Sequence, residues 1–261
     1  MPRAIWTGSI TFGLVTVPVG LFSATEDHTV HFHQYQRGTT DRIRYQRVNE
    51  RTGDEVPFSD IVRGHDEGDG QTIIVEPSEL DQIAPGRSHS IDVSAFVDLD
   101  EIDPIHYQKT YWLAPTKQEN EKVYALLAAA MESTNRAAIA TFVMRGKQYL
   151  CAVRAASGVL SLETLYYGDE IRNPHDSLDH LPESADTSGR EFDMARTLIE
   201  SMSAPWQPED YQDTYTDRVR QLIEDKRAGN EVVPESAPPE ATDVTDLLEA
   251  LRRSVEARKA S

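Results

Sequence analysis

Cysteine, lysine and long apolar runs are all scarce in this 261-residue chain. Its single cysteine, Cys151, excludes an internal disulfide and any cysteine-rich zinc site. The apolar neighbours of Cys151 at 149–153 read as the setting of a buried, inert thiol. No apolar run reaches the roughly 18 residues of a membrane span. The N-terminal segment lacks the uninterrupted apolar stretch of a secretory signal. A soluble, cytoplasmic protein is the expectation. Catalytic signatures are missing too: there is no GxxxxGK[ST], no HExxH and no GxSxG. The acidic loop at 66–70 lacks the spacing of a calcium loop.

Positive charge is scarce in total but uneven in distribution. Lys and Arg number 26 against 44 Asp and Glu, for a formal net charge of −18. That total opposes a nucleic-acid partner, yet placement outweighs the sum. One cationic island holds Arg37, Arg42, Arg44, Arg47 and Arg51 against only Asp41 and Glu50. A second, from Arg136 through Arg145 and Lys147 to Arg154, contains no acid at all. Acids crowd elsewhere, at 54–69, 76–81, 98–103 and in much of the chain after Asp169. Cationic islands in an acidic shell can hold DNA on one surface and repel it from the others. They can also be ordinary solvated strand faces.

Residues 3–25 carry one cation and no acid. Trp6, Ile10, Phe12 and Leu14 alternate with small polar residues, the period of a half-buried strand. Val15, Val17 and Val19 continue on the opposite parity. Gly8, Gly13 and Gly20 mark bends or bulges of a curved sheet, and Pro18 belongs on an edge or bulge. Further strands are predicted at 30–35, 42–49, 72–75, 90–97 and 107–113, with turns at 51–53 and 64–70. Thr116 and Glu119 form a capping-box pattern ahead of a helical repeat at Val123, Leu126, Leu127, Ala130 and Met131. A three-strand meander follows at 137–144, 148–154 and 159–166, turning at Gly146 and at Ser157–Gly158.

After Tyr167 the pattern becomes helical. A polar connection at 172–189 leads to one stripe of Phe192, Ala195, Leu198, Ile199 and Met202. A second stripe of Tyr211, Tyr215, Val219, Leu222 and Ile223 stops at Gly229. The proline-rich stretch 231–241 is a linker. A last helix from about Asp243 carries Val244, Leu247, Leu248, Leu251 and Val255 on one stripe. Such a stripe either folds back on the protein or meets another one.

The opening blocks Ala4-Ile5-Trp6, Gly8-Ser9-Ile10, Phe12-Gly13-Leu14-Val15 and Val17-Pro18-Val19 resemble the start of bacterial Ku proteins. These are the DNA-end-binding rings of non-homologous end joining. The likeness continues in order through Arg42-Ile-Arg-Tyr-Gln-Arg-Val48, Glu55-Val-Pro57, Asp103-Pro-Ile105, Lys109-Thr-Tyr111 and Leu113-Ala-Pro115. It then runs through Tyr124-Ala-Leu-Leu127, Phe142 to Lys147, Gly158-Val-Leu160, Glu163-Thr-Leu165 and Asp246 to Ser254. The resemblance implies an α+β fold: an antiparallel, SPOC-like β-barrel with bridging strands, then a helical C-terminal arm. It divides the chain into a core and DNA-encircling bridge at 1–170, a dimerisation arm at 171–230, a linker at 231–242 and a ligase-interaction helix at 243–261. It implies a homodimeric ring on double-stranded DNA ends that recruits ligase D, with no enzymatic activity and no cofactor, in the cytoplasm at the nucleoid.

Charge clustering assigns the DNA contacts to Arg37, Arg42, Arg44, Arg47, Arg145, Lys147 and Arg154, with Arg51, Lys109 and Arg136 behind them. Dimer contacts fall to Leu198, Met202, Tyr211, Tyr215 and Leu222. Ligase contacts fall to Val244, Leu247, Leu248, Leu251 and Val255. Three departures from the family pattern matter: Gly20 stands where many members are basic, Asn49 where cysteine is often found, and no lysine-rich tail follows Ala257. A rival reading uses His28, His31 and His33, with Glu26 and Asp27, as the metal site of a hydrolase; His31 and His33 would share a strand face. Another is an acidic, protein-binding adaptor.

Overall fold

The computed structural model describes residues 3–68, 70–83, 89–182, 184 and 187–230. Residues up to Asp27 together with His33–Asn173 form one compact unit, and His28–Phe32 belong to a second unit with the described residues from Pro174 onward. The elements are β1 Trp6–Phe12, β2 Val15–Ser23, β3 Arg63–Asp66, β4 Thr72–Val75, α1 Pro77–Ile83, β5 Ser90–Asp98 and β6 Tyr107–Pro115. There follow α2 Glu121–Thr134, β7 Arg136–Met144, β8 Lys147–Ala156, β9 Val159–Leu165, α3 Pro174–Ser177, α4 Arg190–Met202 and α5 Thr214–Ala228.

Seven strands close a barrel in the order β1-β2-β6-β9-β8-β7-β5. Neighbours are antiparallel except at the closing joint, where Ser9, Ile10 and Thr11 of β1 run parallel to Ser90, Ile91 and Asp92 of β5. The barrel is thus antiparallel, as expected, at every joint but this one. Alternation along each strand sends Ile10, Val17, Val19, Leu21, Ile91, Leu113, Phe142, Val153 and Leu160 into one buried cluster. A closed sheet leaves no free edge, so every barrel strand is held on both sides for part of its length.

Three two-residue turns set the register. Arg145 and Gly146 both have positive φ, 55° and 76°, between the paired residues Met144 and Lys147. Ser157 and Gly158 repeat this between Ala156 and Val159. These are mirror-image turns whose twist suits a hairpin. In the first hairpin Gly13, at φ 57°, takes the first turn position between Phe12 and Val15. Gly8 has a different reason to be glycine: a Cβ there would run into the carbonyl of His89 and the ring of Trp6. Pro18 pairs with Ser9 of β1, and the ladder with β6 begins one residue later at Val19, so the missing N–H costs no β6 bond.

Helix α2 lies against β8 and buries Tyr124, Ala128 and Met131. The Tyr124 hydroxyl donates to the Leu113 carbonyl at 2.7 Å and accepts from the Leu160 amide at 2.8 Å. One phenol thus ties the helix to β6 and β9, and burial raises its pKa. The expected capping box does not form. A short 3-10 turn, Gln118–Asn120, intervenes, and Asn120 caps the helix without a side-chain hydrogen bond.

Other expectations change as well. The segments 30–35 and 42–49 are not strands; only the isolated bridges Tyr35–Arg42 and Val48–Glu55 occur there. The stretch 64–70, expected as a turn, instead opens with part of β3, which pairs with β4 in a two-stranded sheet. Tyr211 precedes α5 and stacks on Trp206, with ring centroids 4.8 Å apart. α5 starts at the N-cap Asp213, whose carboxylate accepts from Thr216 N at 3.0 Å and Thr216 Oγ1 at 2.6 Å. It ends at Gly229, with φ 79°.

Replacing Tyr124 by Phe keeps the ring but leaves the Leu160 amide without its partner. We expect a loss of about 1–3 kcal/mol in chemical denaturation, with an unchanged m-value.

Candidate nucleic-acid interface

Residues 33–60 form an arm of the barrel unit in which every residue is exposed except half-buried Val56. Two irregular hairpins shape it. In the first, Ile43 N donates to Gln34 O at 2.8 Å and Gln36 N to Asp41 O at 3.0 Å, which puts Arg37 at the tip. In the second, Val56 N donates to Arg47 O at 2.9 Å and Asn49 N to Asp54 O at 2.8 Å. The Asn49 side chain accepts from the amides of Arg51 and Thr52, holding the tip where Arg51 sits. Asn49 therefore serves as a turn former.

The arm arginines share a property that total charge hides. Among the described residues, Arg37, Arg42, Arg44, Arg47 and Arg51 make no ion pair with a carboxylate. Arg42 lies 2.9 Å from His33 Nδ1, and Arg47 lies 5.2 Å above the centre of the Phe58 ring. Arg63 on β3 is equally exposed and unpaired among the described residues. Charge clustering passes over it because it stands apart from both islands, beside the acids at 54–69.

The β7–β8 tip behaves like the arm. Arg145 occupies the left-handed turn position, and Lys147 lies 5.3 Å over the Tyr149 ring. The Tyr111 phenol has a raised pKa, mainly through burial and then through Tyr149, with the Arg145 charge opposing the rise. Lys109 is exposed on β6, and its amide donates to Thr164 Oγ1 at 3.1 Å. Arg145, Lys147 and Lys109 make no ion pair among the described residues.

Arg136 and Arg154 differ. They sit at the end of the β7–β8 hairpin remote from its tip, about 27 Å away at the rise of a strand. Arg136 is 3.8 Å from Asp98, and Arg154 Nε is 2.7 Å from Oε1 of Glu163. Glu163 is buried, and its Oε1 also accepts from Ser161 Oγ at 3.1 Å, while Oε2 has no partner. Arg154 is thus committed to a buried carboxylate. The pair borders a cavity of about 470 Å³ lined by Leu99, Ile102, Tyr107 and Thr110. Burial first, then the Glu163 charge, raises the Tyr107 pKa, with Arg154 opposing.

The histidine reading fares differently. No strand joins His31 to His33, and among the described residues no group of three or more His, Cys, Asp and Glu is placed to hold a metal. Cys151 is buried, with its pKa raised by burial, and donates to the Ala140 carbonyl. No described helix is long and apolar enough to cross a membrane. In the second unit Leu198 and Leu222 are half-buried, whereas Met202, Tyr211 and Tyr215 are exposed. Val244, Leu247, Leu248, Leu251 and Val255 lie outside the described residues.

Residues 11–194 match the family model of the Ku70/Ku80 beta-barrel domain. "Non-homologous end joining protein Ku 1" of Saccharopolyspora erythraea is 58% identical over 256 residues, covering 98% of this chain and 79% of the relative. Ku 3 of the same organism is 52% identical over 250 residues, covering 95% of each. The non-homologous end joining protein Ku of Mycobacterium tuberculosis H37Rv is 38% identical over 264 residues, covering 98% and 96%. A solved SPOC domain, from human PHD-finger protein 3, aligns over 62% of this chain and 95% of its own at 15% identity and a TM-score of 0.30, and supports nothing further. The family match spans most of the barrel and reaches into α4, and the relatives extend over nearly the whole length: the chain belongs to the Ku family.

Proposed function

We propose that this chain binds double-stranded DNA ends, without regard to sequence, as a homodimeric ring in non-homologous end joining. The observation that carries the reading is the set of cations left without carboxylate partners in a molecule of net charge −18. The ones proposed as DNA contacts are Arg37, Arg42, Arg44, Arg47, Arg51, Lys109, Arg145 and Lys147; Arg63 is unpaired among the described residues as well. Phosphate contact needs cations whose charge is not already spent. All of the proposed contacts but Lys109, which is exposed on β6, stand on the 33–60 arm and the tight β7–β8 hairpin, where projecting charges suit the phosphate backbone, so recognition is through backbone and shape. The relatives' names, as non-homologous end joining proteins, support the same reading.

A second copy serves two needs. It doubles the phosphate contacts, and a two-fold assembly encloses the duplex axis. The second unit supplies the surface: Trp206, Tyr211 and Tyr215 are 72%, 70% and 75% exposed, and Ile199 and Met202 are exposed as well. Apolar side chains in that number mark an interaction site. A clamp of this kind joins nothing by itself. On the family resemblance its partner is ligase D, met by the segment 243–261, with the linker 231–242 giving it reach.

A closed ring enters DNA only at an end. Gel shifts should show binding to linear duplex with blunt or overhanging ends, and none to relaxed closed circles of the same sequence. Equal binding to circles contradicts the ring, and failure to bind any DNA leaves the acidic adaptor reading in its place. Met202→Asp with Tyr215→Asp, both at exposed positions, should yield folded monomers by light scattering that no longer bind ends. A folded variant that remains dimeric places the dimer contact elsewhere.

A further inference from the structure

We propose that Phe58, Tyr149 and His33 are positioning residues for DNA binding: neutral side chains that orient Arg47, Lys147 and Arg42 without cancelling their charge. The inference rests on the DNA-end reading above and adds to it how the cations are held ready.

Lys and Arg have more rotamer freedom than most side chains, and fixing them on a phosphate is entropically costly. Proteins usually fix them with carboxylates, and this chain does so repeatedly. Arg136 is held by Asp98, Arg154 by Glu163, Arg196 by Asp193 and Glu200, and Arg220 by Asp217. A cation held that way must trade one anion for another when DNA arrives. An aromatic face holds a cation through its quadrupole and leaves its net charge and N–H groups for a phosphate. An imidazole lone pair does the same, using one donor of the guanidinium.

The backbone explains each contact. The Val48–Glu55 bridge and the bond from Val56 N to Arg47 O set Arg47 opposite Val56, and Phe58, two residues on, brings its ring under the Arg47 guanidinium. Phe58 follows Pro57 at the start of a short 3-10 turn and is 77% exposed, so core packing does not account for it. Lys147 and Tyr149 are two apart on β8 and share a face. The Tyr149 ring in turn stacks on buried Phe142 at 5.5 Å, which anchors the Lys147 platform to the barrel core. His33 flanks the Tyr35–Arg42 bridge. Guanidinium has donors only, so Nδ1 of His33 is the accepting atom of that contact.

Phe58 is the cleanest test, because it lies outside the core. Binding of a short blunt duplex would be measured across a salt series for wild type, Phe58→Ala, Phe58→Tyr, Arg47→Ala and the Phe58→Ala/Arg47→Ala double variant. Phe58→Ala should weaken binding about two- to fivefold per site while leaving the log K against log salt slope unchanged, since no charge is removed. Phe58→Tyr should restore wild-type affinity. Arg47→Ala should lower the slope, and Phe58→Ala should then cost nothing further. His33→Ala should show the same dependence on Arg42. Additive losses in the double variant, a lowered slope for Phe58→Ala, or no rescue by Tyr overturn the positioning role while the DNA reading stands. No binding of the duplex by the wild-type protein overturns both.

Discussion

A polyanion binds an acidic protein only where that protein keeps its own carboxylates away from its cations. Every other feature of the candidate interface follows from this constraint. With 44 acidic residues against 26 basic ones, most cations could be neutralised within the chain. Several are, including Arg136, Arg154, Arg196 and Arg220. In the arm at 33–60 and at the β7–β8 tip, Arg42, Arg47 and Lys147 have local partners without negative charge: an imidazole, a phenyl ring and a phenol ring. Acid elsewhere on the surface then has a use, since it repels duplex from the surfaces it covers.

The barrel supplies the rigidity that such sparse contacts require. Closure through the parallel β1–β5 joint removes sheet edges, and the Tyr124 phenol locks α2 onto β6 and β9. The two-residue turn at Arg145–Gly146 projects a cation from a frame whose register cannot slip without exposing the core. The arm has no such frame. Its shape rests on short hairpin bonds and on side-chain contacts such as Gln46 to Glu55 at 2.6 Å and Tyr45 to Gln34 at 2.7 Å.

Legibility in the sequence divides along the same line. The barrel strands β5 to β9 are legible because alternation and turn residues agree there, and the end of α5 because Gly229 marks it; the start of α5 is not, since the apolar stripe runs back to Tyr211, ahead of the Asp213 cap. The arm also alternates, as in Arg42-Ile43-Arg44-Tyr45, but no neighbouring strand pairs with it, and alternation cannot reveal a missing neighbour. Charge clustering places Arg154 among the first seven candidate cations and Arg51 and Lys109 behind them. Pairing separates them, and pairing depends on cross-strand register: Glu163 lies opposite Ala152, which brings it beside Arg154. Phe58 and Tyr149 leave no sequence signal as partners of cations, because an aromatic residue near a basic one is common in any chain. The histidines at 28, 31 and 33 look like a cluster only while a strand is assumed beneath them.

The central claim is that cations free of carboxylate partners, and not cations in general, hold the DNA. Its most direct measurement compares the salt dependence of end binding in Arg44→Ala/Arg51→Ala with that in Arg136→Ala. Removing one phosphate-binding cation lowers the slope of log K against log salt by about 0.9 on duplex DNA. The first variant should show a clear drop and the second a slope equal to wild type. An equal drop in both, or an unchanged slope for Arg44→Ala/Arg51→Ala, would contradict the account.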